Sequence, residues 1–317
     1  DKLGEYEQAF SACEQGKLLH HGFVEAKNID AEQLFRALAF NKSGFDNALL
    51  QRWQTQDFAD QLPAPLFLIG FLRSGTTLTE QVLAAHPEIF TSDENSLIAG
   101  VIQELKRMTA CNEDIPAGLR KLSLEEACKL RALYWRRVQE EYGADALSKR
   151  FVDKVALNSI DVGLLSVLFP EATILFALRD PRDVCLSCFQ QAFQPSPVTI
   201  NLLTWAGVAK QYAAVMDLWL QLRNSIQPNY LELRYEDTVN DFENTFKRVF
   251  ALLNLDWTTE IMAFHEKAKG RYIATPSFAA VSQPVFTSSL QRWRHYEQFY
   301  APILPILAPY IQEFGYQ

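Results

Sequence analysis

Residues 66–77 read LFLIGFLRSGTT, a stretch whose residue types and spacing suit the binding of a phosphate-like anion. Leu66 to Ile69 form a short apolar run of the kind that makes a buried strand. Gly70 ends it, Phe71 to Gly75 make a tight loop, and Thr76 opens a helix with Leu78, Val82 and Leu83 on one face. Free N–H groups at such a helix start point at the loop, and the helix dipole adds partial positive charge. Gly70, four residues, Gly75, Thr76 and Thr77 repeat the spacing of a triphosphate-binding loop with one change: Thr76 stands where that loop has Lys. That Lys holds the β- and γ-phosphates, so its replacement argues against ordinary ATP or GTP hydrolysis. Arg73 is the cation available inside the loop, with Ser74, Gly75, Thr76 and Thr77 beside it as further donors. A strand-to-helix turn that needs two glycines for steric reasons alone is the competing reading.

A second constellation follows the apolar run 172–178, ATILFAL. Arg179 stands at its end and Ser187 lies eight residues later, on the next helix. An Arg fork and a hydroxyl donor can converge on a second phosphate. The alternative is a local salt bridge of Arg179 or Arg182 with Asp180 or Asp183. Glu94 and Lys154 also follow or end short apolar runs, as does Tyr235. A carboxylate such as Glu94 can take the proton of a hydroxyl, and a cation such as Lys154 can neutralise charge that develops in a transferred group. Cys185 and Cys188 form a CxxC after a strand, but no Gly-Pro separates the thiols, and two small residues on a packed helix is the favoured reading. His86, before Pro87, reads as part of a helix stop.

These side chains need a frame. Runs at 66–69, 89–91, 151–155, 172–178 and 230–233 predict strands, and helical periodicity fills the intervals, notably at 96–108, 164–169 and 202–222. Ser123 with Glu126 is a capping box that opens a helix through about residue 142, residues 111–118 read as a loop, and Asn240 with Glu243 is expected to cap a helix to about Leu253. Alternation of strand and helix means an α/β fold with a mainly parallel sheet flanked by helices. Ligands bind such sheets outside the carboxyl ends of the strands, which places Arg73, Glu94, Lys154, Arg179 and Tyr235 around one cleft. Leu62-Pro63-Ala64-Pro65 separates this main domain, 61–317, from a short helical segment, 1–60. Within that segment Leu3-Gly4, Tyr6 and Ala9 are similar to part of a tetratricopeptide repeat, and any amphipathic helix would show the same pattern.

Composition bounds the rest. The chain has 317 residues, 48% of them hydrophobic, enough for a sizeable core. A net charge of −8 disfavours nucleic acid and anionic membranes as partners, and no apolar run is long enough to span a bilayer. Five cysteines without framework spacing point to a reducing compartment. The opening stretch, DKLGEYEQAF, has the character of neither a signal nor a transit peptide, and it begins without Met. A bacterial cytoplasm is the expected location; a Golgi lumen is the alternative if a targeting segment has been removed.

The loop RSGTT, together with a strand ending in RDPRD and Ser eight residues past the first Arg, resembles the sulfotransferases that use 3′-phosphoadenosine 5′-phosphosulfate (PAPS). The resemblance spans roughly residues 65 to 293, and its nearest form is the tyrosylprotein sulfotransferase-like branch, with bacterial proteins that join tetratricopeptide repeats to such a domain. It implies that residues 73–77 hold the 5′-phosphosulfate and that Arg179 and Ser187 hold the 3′-phosphate. It implies Glu94 as catalytic base, Lys154 and Ser277 as transition-state donors together with Arg73, Tyr235 beside the nucleotide, and Arg292 as a closing cation where the tyrosyl enzymes have Lys. The product would be adenosine 3′,5′-bisphosphate (PAP), no metal would be required, and a homodimer is compatible with the pattern. Phe71-Leu72 stands where the family often has Pro, and Asn95-Ser96 follows Glu94 where the tyrosyl enzymes place an Arg on the acceptor side. The hydroxyl acceptor therefore stays open among peptide tyrosine, carbohydrate and small phenol or alcohol. A P-loop kinase, or a repeat-linked adaptor without activity, are the alternatives in other classes.

Overall fold

The computed structural model describes residues 1, 3–25, 28–92, 94–264 and 289–317. Its centre is a parallel sheet of five strands in the order β2-β3-β1-β4-β5: β1 Leu66–Gly70, β2 Ile89–Thr91, β3 Arg150–Lys154, β4 Thr173–Leu178 and β5 Asn229–Arg234. Every residue of β1 is buried, as expected of a strand covered on both faces, where a continuous apolar run replaces alternation. Leu66, Leu68, Val152, Leu175 and Leu233 point into one core layer, and Phe67, Ile69, Phe151, Ile174 and Phe176 into the other. Gly70 has a steric reason: a Cβ there would stand 2.5 Å from the Ala177 carbonyl oxygen of β4.

The first layer is covered by helices α4, Thr76–Ala84, and α12, Phe242–Leu252, through Leu78, Val82, Phe246 and Val249. The second is covered by α7, Leu124–Ser148, α8, Val162–Leu168, and α10, Trp205–Leu222, whose Trp219 stacks on Phe176 with ring centroids 4.0 Å apart. Three N-terminal helices, α1 Tyr6–Glu25, α2 Gln33–Gly44 and α3 Asn47–Gln54, add Phe10, Leu34, Leu38 and Trp53 to that second layer. Lys17 of α1 donates to the Gln191 carbonyl (2.7 Å), just past the end of α9, Pro181–Gln190. The chain between α3 and β1 is pinned by Arg131 of α7, whose buried guanidinium forks to Asp60 (2.7 Å) and Glu171 (2.8 Å). No helix among the described residues is long and apolar enough to cross a membrane.

Local expectations were corrected in three places. The loop expected at 111–118 contains the start of a helix, α6 Ile115–Lys121, capped by Asp114, which accepts from Ala117 N–H. The long helix α7 opens on the Ser123 capping box as expected but runs on to Ser148 through a kink at Gly143, whose φ is 75°. Asn240 does not cap a helix; it ends α11, Tyr235–Asn240, and α12 starts two residues later beyond Asp241.

Strand β3 sends its side chains alternately to the two layers, so Asp153 goes with Phe151 and Lys154 with Val152. Asp153 is fully buried, accepts a hydrogen bond from the Tyr134 hydroxyl (3.2 Å), and burial pushes its carboxyl up to about 7. A folded-state value above the ordinary 3.8 means that the native protein holds this proton where the unfolded chain releases it, so stability falls as pH rises from 3.8 to about 7. Asp153→Asn should remove this contribution. Relative to wild type, the variant should gain about 1–4 kcal/mol of stability on going from about pH 5 to about pH 8, read from denaturant titrations at the two pH values.

Candidate active site

All five strands end at one edge of the sheet, and the chemistry-bearing residues follow those ends. The loop after β1 turns into α4 through two residues in the left-handed region, Arg73 (φ 66°) and Gly75 (φ 96°). Such a conformation costs a non-glycine residue about 1–2 kcal/mol, and it is tolerated at Arg73 where the side chain is held. The Arg73 Nε–H donates to Ser187 Oγ on α9 at 3.0 Å. Gly75 has no room for a side chain: a Cβ would lie 2.6 Å from the Tyr235 ring. The N-cap residue of α4 is Gly75, which has no side chain to cap the first turn, and Thr76 and Thr77 are buried, so the dipole and N–H groups of that end are aimed at the loop.

Arg179 follows β4 and is 8% exposed. Its Nη1 donates to the Arg73 carbonyl (3.3 Å), its Nη2 to the Ser289 carbonyl (2.6 Å), and its guanidinium lies 4.9 Å from the Tyr235 ring centre. Its Nε is buried without a hydrogen-bond partner among the described residues. A buried guanidinium nitrogen left unpaired is costly, and an anion there would satisfy it. Tyr235 in turn bonds Ser289 Oγ through its hydroxyl at 2.7 Å. Asp183 holds the segment beyond Ser289 by accepting from the N–H groups of Gln291 (2.8 Å) and Trp293 (2.9 Å). The local salt bridge considered from sequence forms at Arg182, which pairs with Asp180 at 2.7 Å, and more loosely at Arg179, whose Nη2 stands 3.9 Å from Asp183 Oδ2.

Lys154 ends β3 and is 1% exposed on the α4 side of the sheet. Its Nζ is 2.8 Å from Glu94 Oε1 and 3.0 Å from Glu80 Oε2, and its backbone N–H donates to Ser92 Oγ at 2.9 Å. Burial by itself would push this ammonium down, but the two carboxylates outweigh burial and hold it above its ordinary value. Burial is also the main influence on Arg73 and pushes its guanidinium down, with Arg179 adding to the effect and Glu94 opposing it. Arg73, Ser187, Arg179 and Tyr235 thus form one cluster and Lys154 with Glu94 a second, and the field of Glu94 reaches Arg73 between them.

Other residues singled out from sequence lie elsewhere. Arg292 pairs with Asp1 and with Oε1 of Gln190 (3.2 Å), the last residue of α9. Ser277 lies outside the described residues. His86 is buried, stacks on Phe250 and accepts from the Glu88 N–H through Nδ1, a structural role. Cys185 and Cys188 are free and buried, and burial pushes the Cys188 thiol up to about 12, which leaves no reactive thiolate for redox chemistry. Sequence reasoning missed Glu80, Ser92, Asp183 and Ser289. No local signal marked Glu80: Thr79 and Gln81 flank it, and its burial is against Lys154 of β3.

Comparison with known proteins shows the family of the chain. The model of the sulfotransferase family matches residues 65–259, more than half of the chain. An uncharacterized protein of Aquifex aeolicus is 28% identical over 251 residues, covering 77% of this chain and 32% of the relative. Protein-tyrosine sulfotransferase A of Caenorhabditis elegans is 24% identical over 232 residues, 72% of this chain and 60% of the relative. The chain therefore spans less than two thirds of the length of either. Among solved structures, the sulfotransferase domain of the Synechococcus PCC 7002 olefin synthase superimposes with a TM-score of 0.61 at 18% identity, over 84% of this chain and 98% of that one, which shows a shared fold. On the family match across the loop, the strands and the Arg179 helix, the chain belongs to the sulfotransferase family.

Proposed function

We propose that this chain transfers a sulfuryl group from PAPS to a hydroxyl acceptor. The observation that carries the reading is the convergence, on one sheet edge, of a helix start with a glycine N-cap, an arginine whose buried Nε has no hydrogen-bond partner among the described residues, and a lysine–carboxylate pair. The α4 N-terminus and Arg73 would hold the phosphosulfate. Arg179 would take the 3′-phosphate through its unpaired Nε, with Ser187 as hydroxyl donor and Tyr235 beside the nucleotide. Glu94, 47% exposed, faces the open side and would accept the acceptor's proton as its oxygen bonds to sulfur. The bond from sulfur to the bridging oxygen breaks, and the electron pair leaves on the 5′-phosphate of PAP. Lys154, Arg73 and the loop N–H groups would neutralise that charge, and Ser277 and Arg292 are assigned the donor and closing roles that the family resemblance implies.

Glu94 and Lys154 are bonded to each other in this structure, so each must let go of the other, at least in part, to act. The acceptor class stays broad: peptide tyrosine, as in the name of the Caenorhabditis relative, a carbohydrate hydroxyl, or a small phenol or alcohol. Transfer of labelled sulfate from PAPS to a mixed library of these acceptors tests the reading, alongside calorimetric binding of PAP and of ATP. Labelled product and binding of PAP in preference to ATP are expected. Preference for ATP with phosphoryl transfer to the same library would replace this reading with a kinase.

A further inference from the structure

Lys154 is held by two carboxylates that differ in every respect except distance. Glu94 comes from the segment after β2 and is 47% exposed. Glu80 comes from α4, the helix that starts at the anion loop, and its side chain is 7% exposed. Glu80 Oε2 stands 3.0 Å from Lys154 Nζ, and its other oxygen accepts from Gln81 Nε2 at 3.3 Å. Among the described residues, one ammonium and two carboxylates meet here, beside a site built for anions. A helix-borne carboxylate in such a place is expensive unless it has a task.

We propose that Glu80 is a positioning residue for sulfuryl transfer: it fixes the Lys154 ammonium at the strand end and keeps it paired while Glu94 turns to the acceptor. This rests on the transferase reading above. Charge bookkeeping supports it. When Glu94 takes the acceptor's proton it becomes neutral, and Lys154 is left with one matched buried carboxylate, Glu80. Without Glu80, Glu94 would be the only carboxylate beside Lys154 among the described residues. A carboxylate committed to a single buried ammonium is a poorer base, because taking a proton would strand that ammonium. Two unequal carboxylates solve this: the inner one stays and the outer one exchanges.

The consequence separates positioning from mere structural support. Removing a negative charge beside an anion site should leave nucleotide binding intact or tighten it, while the base becomes weaker. Glu80→Gln should therefore lower kcat by about 10- to 100-fold while the Kd for PAP stays within about 3-fold of wild type or falls. Glu80→Asp should recover part of the rate. In a Lys154→Met background, adding Glu80→Gln should change the residual rate by less than about 2-fold, because the lysine through which it acts is gone. Melting curves of each variant, and of the double variant in which no buried ammonium remains, verify that the fold survives. A Glu80→Gln enzyme with wild-type kcat, or one that loses kcat and PAP affinity together, would overturn the assignment. So would an undiminished effect of Glu80→Gln in the Lys154→Met background. Wild-type enzyme that binds PAP but sulfates no acceptor would remove the transferase reading itself, and the role of Glu80 with it; wild-type turnover with a normal Glu80→Gln removes only the role of Glu80.

Discussion

Glu94→Gln should cut the rate of sulfuryl transfer to an alcohol by about 10²- to 10⁴-fold, the range typical of a lost general base. The substitution keeps the size and shape of the side chain, and the amide oxygen can still accept from Lys154 Nζ, so the lysine is not freed to wander. Glu94 is hydrogen-bonded to Lys154 and acts on the Arg73–Ser187–Arg179 cluster through its field, so PAP affinity should shift by less than about 3-fold and the loss should appear in kcat. The sharper test varies the acceptor. A phenol acidic enough to ionise by itself needs no base, so the loss should shrink steadily from a simple alcohol, through phenol, to a nitrophenol. Initial rates with that series check it. A uniform loss across the series would show Glu94 acting through binding or geometry, and a rate within about 3-fold of wild type would assign the proton to another group.

How much of this site could be read before the structure differs from residue to residue, for physical reasons. β1 and β4 were legible because strands buried on both faces leave unbroken apolar runs, and the glycine spacing after β1 follows from sterics and N–H geometry alone. Arg179 and Lys154 were legible as strand-end residues once the sheet was known to be parallel. Glu80 was not. A glutamate within a helix normally marks a solvated face, and its burial here depends on a lysine from β3, 74 residues away, which no local pattern reports. The pairing of Glu94 with Lys154 has the same character: each position was expected at the sheet edge, but their mutual bond is a tertiary fact. The misassigned cap at Asn240 and the overlooked helix α6 are local failures. Two short helices meet around Asp241, and Pro116 and Gly118 within a seven-residue helix read as loop residues.

The same contrast bears on Arg179. Its strand-end position was legible, but its buried Nε, without a partner among the described residues, was not, and that nitrogen is what makes the second large prediction specific. Arg179→Ala should weaken PAP binding by about 10²-fold or more, since loss of one partner from a buried charged pair costs about 2–5 kcal/mol. Arg179 also supports its surroundings through the carbonyls of Arg73 and Ser289 and its stacking on Tyr235. A general loosening of the site would weaken every nucleotide alike. The diagnostic quantity is therefore the ratio of affinities for PAP and for adenosine 5′-phosphate, which lacks the 3′-phosphate. In wild type that ratio should be large; in Arg179→Ala it should collapse towards one. Arg179→Lys should fall between, because an ammonium supplies the charge without the fork that reaches Ser289 and the ligand together. Calorimetry gives both constants, and the thermal shift with saturating PAP should shrink in parallel. A ratio unchanged in Arg179→Ala would take the 3′-phosphate away from this arginine and leave its buried Nε without an explanation.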